Sequence, residues 1–276
     1  MVDDLTDDDL GQFDITPSSR RMASMVLLDR SVDGMAAEIE KALAQVEPLA
    51  SYLPDSVLNV LVENAARRRI QPDFPTVTVY FVNLIGLAEL VDRVAADDMA
   101  ALVSTFSRVF SLIDAAVEAR GGVLKNVTYH LAGSDMLIFF GAPTGHTNDS
   151  FRAADAALAI RDIITQMTVP LASVSNAGLS CQIGMARGPV FAAEIGEPRG
   201  RREFNILGDT VNTAARLMGR AVGNRILMTE AMYQEVAAQF DCASMGPTRL
   251  KGKAQPVPVY ALRGALENDE TSESAK

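Results

Sequence analysis

Cysteine and histidine are scarce, with two of each among 276 residues. Cys181 and Cys242 build no disulfide framework. Cys181, set between Leu179 and Ile183 in an apolar strand pattern, reads as a plain buried thiol. With His130 and His146 alone, no His-x-x-x-His or cysteine pair has zinc spacing, and an acyl-transfer triad has no support. No glycine-rich loop ends in Gly-Lys-Ser/Thr and no Gly-x-Gly-x-x-Gly follows a strand, so both standard phosphate and dinucleotide cradles are missing. The N-terminus is acidic where a secretory signal is basic and then apolar, so the expectation is a cytoplasmic protein. Long apolar runs are missing as well. The longest charge-free stretch in a hydrophobic region, 167–186, contains Pro170, Ser173, Ser175, Asn176 and Gly178, and reads as helix end, loop and strand, with no membrane partner.

A basic surface is lacking too. The net charge is −10, but six acids in residues 1–20 and four in 265–276 face one base in each segment. The remainder holds 25 acids against 23 bases, close to neutral. Phosphate neutralisation needs clustered Lys and Arg, so nucleic acid is not an expected partner. Segments 1–28 and 265–276 read as acidic, disordered tails. With 48% hydrophobic and 22% charged residues, the chain as a whole has the composition of a globular protein able to bury a core.

Residues 29–70 read as a helical segment. Val32, Met35, Ile39, Ala42, Val46 and Leu49 make an a/d seam, suited to packing on its own domain or on a second chain. A short helix opens at Pro54-Asp55-Ser56, and Arg67, Arg68 and Arg69 follow as solvated linker. From Pro75, Val77, Val79 and Phe81 alternate with Thr78, Tyr80 and Val82, a strand covered on both faces. A helix through Leu102, Phe106, Val109, Phe110, Ile113 and Val117 stops at Gly121-Gly122. Strands over 123–131 and 136–140 follow, joined by a turn at Ala132-Gly133. Next come a helix capped by Asp149 and a strand over 179–186, which turns at Gly188-Pro189 toward 190–195. That order, βαββαβ, is ferredoxin-like and α+β. A hairpin near 203–206, a helix from Asp209 and strands at 226–228 and 257–262 extend it to one domain, 76–264.

The most specific segment runs from Gly208 to Leu217, GDTVNTAARL. On a helix, Val211, Ala214, Ala215 and Met218 form the buried stripe, while Asn212 and Arg216 lie one turn apart on another face. An amide and a guanidinium projecting together can orient a ribose and stabilise charge on a phosphoryl oxygen, although in isolation such a spacing is more often a surface polar pair. The other landmarks are Val77-Thr78-Val79-Tyr80-Phe81 leading to Gly86, Gly121-Gly122 and Phe140-Gly141-Ala142-Pro143. Ile195-Gly196, Arg202-Glu203-Phe204, Leu250-Lys251-Gly252-Lys253 and Val259-Tyr260 complete them. In this order they resemble the class III adenylyl/guanylyl cyclase homology domain.

The resemblance implies a head-to-tail homodimer, or a heterodimer with another cyclase homology domain, with sites at the interface. One partner gives two metal-binding aspartates and the other gives base recognition and the Asn/Arg pair. Asn212 and Arg216 match the catalytic pair, Lys253 or Lys251 the triphosphate lysine, and Asn205 the base-recognition position, with His130 nearest the partner strand position. The loop over 83–87, with Ile85, Gly86 and Leu87, is placed to offer N–H groups to phosphates. At the metal positions stand Asn83 and Ser134, an amide and a hydroxyl that bind Mg²⁺ poorly. Strand alternation predicts that Asp135, one residue on, points to the wrong face unless a bulge near Gly133 intervenes.

The implied function is a cyclase half that has kept its transition-state residues. It takes ATP or GTP as substrate and needs Mg²⁺ or Mn²⁺ through a metal-competent partner. The alternative is a non-catalytic pseudocyclase that binds nucleotide or dimerises. A diguanylate cyclase or polymerase-palm relative is disfavoured, since no Gly-Gly-Asp/Glu-Glu-Phe hairpin occurs.

Overall fold

A computed structural model describes residues 70–130, 133–167, 178–196 and 202–266, with isolated positions between 34 and 57. The chain separates into two units, 1–53 and 54–276, and the sheet with its covering helices belongs to the second. The a/d seam and the arginine run lie outside the described residues.

The β-rich segments pair as the sequence pattern requires. Strand β1 (Thr76–Ile85) is flanked by β3 (Gly133–Phe140) and β4 (Ser180–Pro189), both antiparallel to it. With β2 (Val123–His130), β7 (Ile226–Thr229), β8 (Phe240–Thr248) and β9 (Val257–Ala265), they form one sheet in the order β2-β3-β1-β4-β7-β9-β8. The first four strands in that order have the ferredoxin-like arrangement. β5 (Phe191–Gly196) and β6 (Arg202–Leu207) make a separate hairpin.

Alternation along β1 decides which layer each residue meets. Tyr80, Val82 and Leu84 enter the larger core, beneath α2 (Met99–Glu118), α3 (Asp149–Gln166) and α5 (Glu230–Val236). Val77, Val79 and Phe81 meet the other core, with Ala214 of α4 (Asp209–Met218) and with Phe204 and Ile206 of the hairpin. Residues 96–118 are apolar and long enough to cross a membrane by length and composition alone. Their Leu102, Val109, Ile113 and Val117 are buried in the larger core.

Several details differ from the sequence reading. β3 begins at Gly133, three residues before the expected start, so Ser134 and Asp135 belong to the strand. The helix α3 is preceded by Asn148, and Asp149 is its first residue. Its carboxylate turns back to accept the His146 backbone N–H at 2.6 Å, so it orders the preceding loop. The short helix α1 (Leu87–Arg93), α5 and β8 carry too few periodic residues to stand out in the sequence.

Gly184 on β4 sets how closely α4 approaches the sheet. A Cβ there would stand 2.0 Å from the Met218 nitrogen and 2.3 Å from the Ala214 oxygen, both backbone atoms with no freedom to yield. Gly184→Ala must displace α4. We expect a loss of about 2–4 kcal/mol by chemical denaturation.

Cys181 lies fully buried on β4. Burial pushes its thiol from an ordinary 9.0 up to about 12, and burial also raises that of half-buried Cys242. At pH 8 a thiol reagent should label Cys242 slowly and Cys181 only after unfolding. The linkage has a definite sign. Above pH 9 the unfolded chain ionises at Cys181 while the folded chain does not, so stability falls as pH rises from 9 toward 12.

Candidate active site

α4 is preceded by Gly208, whose φ of 150° with ψ of 177° is a backbone conformation open to glycine. In its first turn, Thr210 Oγ1 donates to the Pro189 carbonyl at 2.9 Å, tying α4 to the end of β4. Thr213, Ala214, Leu217 and Met218 are its buried stripe. The expected stripe included Val211 and Ala215 instead of Thr213 and Leu217. The close approach at Gly184, between Ala214 and Met218, sets the face that meets the sheet. Asn212 is exposed and Arg216 half-buried, one turn apart.

The turn between β8 and β9 closes over this helix. Leu250 is buried with Leu217 and Ala221, and Lys253 N–H donates to the Leu250 carbonyl at 3.1 Å. Gly252 adopts φ 75°, and a Cβ on it would stand 3.1 Å from Arg216 Nη2. Lys253 Nζ forms an ion pair with Asp209 Oδ2, one turn before Asn212. Arg216 Nη1 is buried and has no hydrogen-bond partner among the described residues. Asp209, Asn212, Arg216 and Lys253 are therefore brought together. The sequence reading missed Asp209 as the lysine's partner, although its position three residues before Asn212 places it on that face. Lys251 is exposed on the same turn.

Asn205 lies apart on β6, opposite Ala193 of β5. Its neighbours Phe204 and Ile206 point into the core, so Asn205 faces outward from the hairpin. The expected phosphate loop is shorter than the sequence suggested. Ile85 remains in β1, Gly86 alone (φ 102°) makes the turn, and Leu87 already begins α1 and is buried. Among these, only Gly86 sits outside regular structure. The side chain of His130 lies outside the described residues, and His146 Nδ1 stands 3.3 Å from Asp149 Oδ1 in a loop.

The register at the far end of β1 corrects the expectation for Asp135. Asn83 is opposite Asp135 on β3 and Gln182 on β4, so all three side chains share one face. Ser134 is opposite Leu84 and faces the apolar helix layer. The observed bulge lies between Leu124 and Asn126 on β2, away from Gly133. Asn83 is buried, and its Nδ2 donates to Gln182 Oε1 at 3.0 Å. Gln182 Nε2 in turn donates to the Ala221 carbonyl, just beyond α4, at 2.5 Å. Gln182 was not singled out from the sequence; its direct opposition to Asn83 appears only once the strands are paired. No cluster of three His, Cys, Asp or Glu side chains suited to a metal occurs among the described residues.

The sequence matches the family described as the adenylate and guanylate cyclase catalytic domain over residues 70–264. It is 27% identical over 206 residues to an adenylate cyclase of Mycobacterium tuberculosis (strain ATCC 25618 / H37Rv), covering 74% of this chain and 43% of that protein. To human retinal guanylyl cyclase 2 it is 28% identical over 221 residues, 78% of this chain and 19% of that one. The chain thus spans less than half the length of either relative. Among solved structures, it is similar to the guanylate cyclase domain of RhGC from Catenaria anguillulae in complex with GTP. That likeness has a TM-score of 0.60 and 24% identity, over 71% of this chain and all of the other.

Proposed function

Because the chain belongs to the adenylate and guanylate cyclase catalytic domain family, we propose that it is the transition-state half of a cyclase. In this reading it completes an active site with a partner domain and converts a nucleoside triphosphate to a cyclic nucleotide and pyrophosphate. The observation that carries the reading is Arg216. Its guanidinium is half-buried against Gly252, with Nη1 sequestered and unbonded, while the neighbouring Lys253 already has Asp209 as counter-charge. A buried cationic donor without an acceptor is costly unless an anion arrives.

The substrate's α-phosphate is that anion. Charge grows on its oxygens as the ribose 3′-oxygen bonds to phosphorus and the bond to the β-phosphate breaks. Arg216 meets this charge with a fixed fork of donors, and Asn212 orients the ribose from one turn earlier. Lys253 exchanges Asp209 for a triphosphate oxygen. Asn205 offers one donor and one acceptor, which suits either base and leaves ATP and GTP both as substrates.

The residues at the family's metal positions do not fit Mg²⁺ or Mn²⁺. The Asn83 amide is engaged with Gln182, Ser134 faces the apolar layer, and Asp135 is the carboxylate directly opposite Asn83. Hard divalent cations of this size take carboxylates with near-octahedral geometry. The metal carboxylates are therefore assigned to the partner. Pairing is supported by the apolar surface around the hairpin, where Phe74, Ile195 and Leu207 are exposed and Asn205 shares the outward face.

The test is cyclic nucleotide formation from ATP and GTP with Mg²⁺ and then Mn²⁺. The purified chain should be silent alone and active with a cyclase domain that bears both aspartates. Activity alone would contradict the reading. The second reading, a non-catalytic regulatory domain, draws on the Asn83–Gln182–Ala221 chain of hydrogen bonds, which turns the family's metal position into a structural one. Silence in both assays would favour it.

A further inference from the structure

A second cationic feature lies at the other end of β9. A groove of about 460 Å³ is lined by Arg161, Asn224, Arg225, Met245, Leu262 and Arg263. It sits where β7 starts and β9 ends, because Ile226 is opposite Leu262. The Lys251–Lys253 turn precedes the start of β9 at Val257, so six strand residues, about 20 Å, separate that start from Arg263. The groove is distinct from the α4 site.

Its walls are fixed and its charge is unbalanced. Asn224, in the left-handed region at φ 55°, is pinned to β4 on both sides. Its N–H donates to the Cys181 carbonyl at 2.8 Å, and its Oδ1 accepts the Cys181 N–H at 2.9 Å. The Arg225 carbonyl accepts the Ile183 N–H at 3.1 Å. With Oδ1 committed inward, the Asn224 amide NH₂ is the polar edge left to the groove. Arg161 is held by Asp162 at 3.0 Å and by the Arg263 carbonyl at 2.7 Å. Neither the Arg225 nor the Arg263 guanidinium has an acidic partner among the described residues. Arg120, Arg152 and Arg187 do, with Asp155, Asp149 and Glu235. No acid lines the groove, in a chain of net charge −10.

We propose that this groove binds a small phosphomonoester with an apolar or planar body. Two unpaired guanidinium forks and an amide, with Arg161 beside them, offer more donors than one carboxylate accepts, and they suit the three oxygens of a phosphate dianion. Met245, which is 44% exposed, and Leu262 supply an apolar wall for the body. The volume lies within the range of small-ligand sites. The inference does not depend on the α4 reading.

Calorimetric titration of the full chain with AMP, and with inorganic phosphate, tests it. AMP should bind wild type and Arg216→Ala alike and weaken about tenfold or more in Arg225→Ala/Arg263→Ala. Arg225→Lys/Arg263→Lys, which keeps the charge, should retain part of the affinity. Inorganic phosphate should bind more weakly than AMP at the same residues. No AMP binding by wild type, unchanged binding by the double alanine variant, or loss in Arg216→Ala instead would each overturn the proposal. Circular dichroism of the exposed-site variants confirms that they fold.

Discussion

Arg216→Ala is expected to lower cyclic nucleotide formation about 10²–10³-fold when the chain is mixed with a metal-competent cyclase domain, the cost typical of removing one donor to a developing oxyanion. The loss should fall on kcat more than on KM, because in the proposed reading the guanidinium meets charge that grows only in the transition state. Stability should barely move, by about 1 kcal/mol or less. Nη1 has no hydrogen bond to lose, and no acid among the described residues is paired with the guanidinium. Arg216→Lys should recover little, since a single ammonium does not reproduce the planar fork. A merely structural Arg216 would give the opposite pattern, with lost stability and intact turnover.

Asn83→Asp should be strongly destabilising at the sheet end. The wild-type amide donates to Gln182 Oε1 in a buried site, and a carboxylate has no hydrogen to give. Turning the Gln182 amide to compensate would break its bond to the Ala221 carbonyl. Asp135, on the same face across the ladder, adds like-charge repulsion. About 2–4 kcal/mol should be lost at neutral pH. Much of it should return below about pH 4, where the new carboxyl is protonated. Millimolar Mn²⁺ should restore stability at neutral pH, because two carboxylates would then face each other. Ser134→Asp, the change that the family resemblance alone would choose, should lose as much and gain nothing from Mn²⁺, since position 134 faces the apolar helix layer. Thermal melts with and without Mn²⁺ separate the two.

The βαββαβ order, the covered β1 strand and the Asn212–Arg216 spacing were all legible from periodicity and spacing, because each depends on residues near in sequence. The face of Asp135 was not. Alternation along one strand is local, but which residue stands opposite Asn83 is fixed by the pairing of β1 with β3, more than fifty residues away. The expected turn at 132–133 also hid that Ser134 and Asp135 lie inside the strand. The buried stripe of α4 was displaced for a similar reason. Its rotation is set by Gly184, a residue whose meaning lies in the atoms it leaves room for. Lys253 was legible as a candidate by resemblance, but its partner Asp209 emerged only when the β8–β9 turn was placed over α4.

The central claim, that this chain supplies the transition-state side of a shared site, is tested most directly by complementation. The partner is a cyclase domain that keeps both metal aspartates but has its own transition-state arginine replaced, so that it is silent by itself. Mixed with the wild-type chain, it should regain cyclic nucleotide formation that rises with chain concentration to saturation, and Arg216→Ala in this chain should abolish the gain. A mixture that stays silent while the two chains co-elute as a complex would contradict the account.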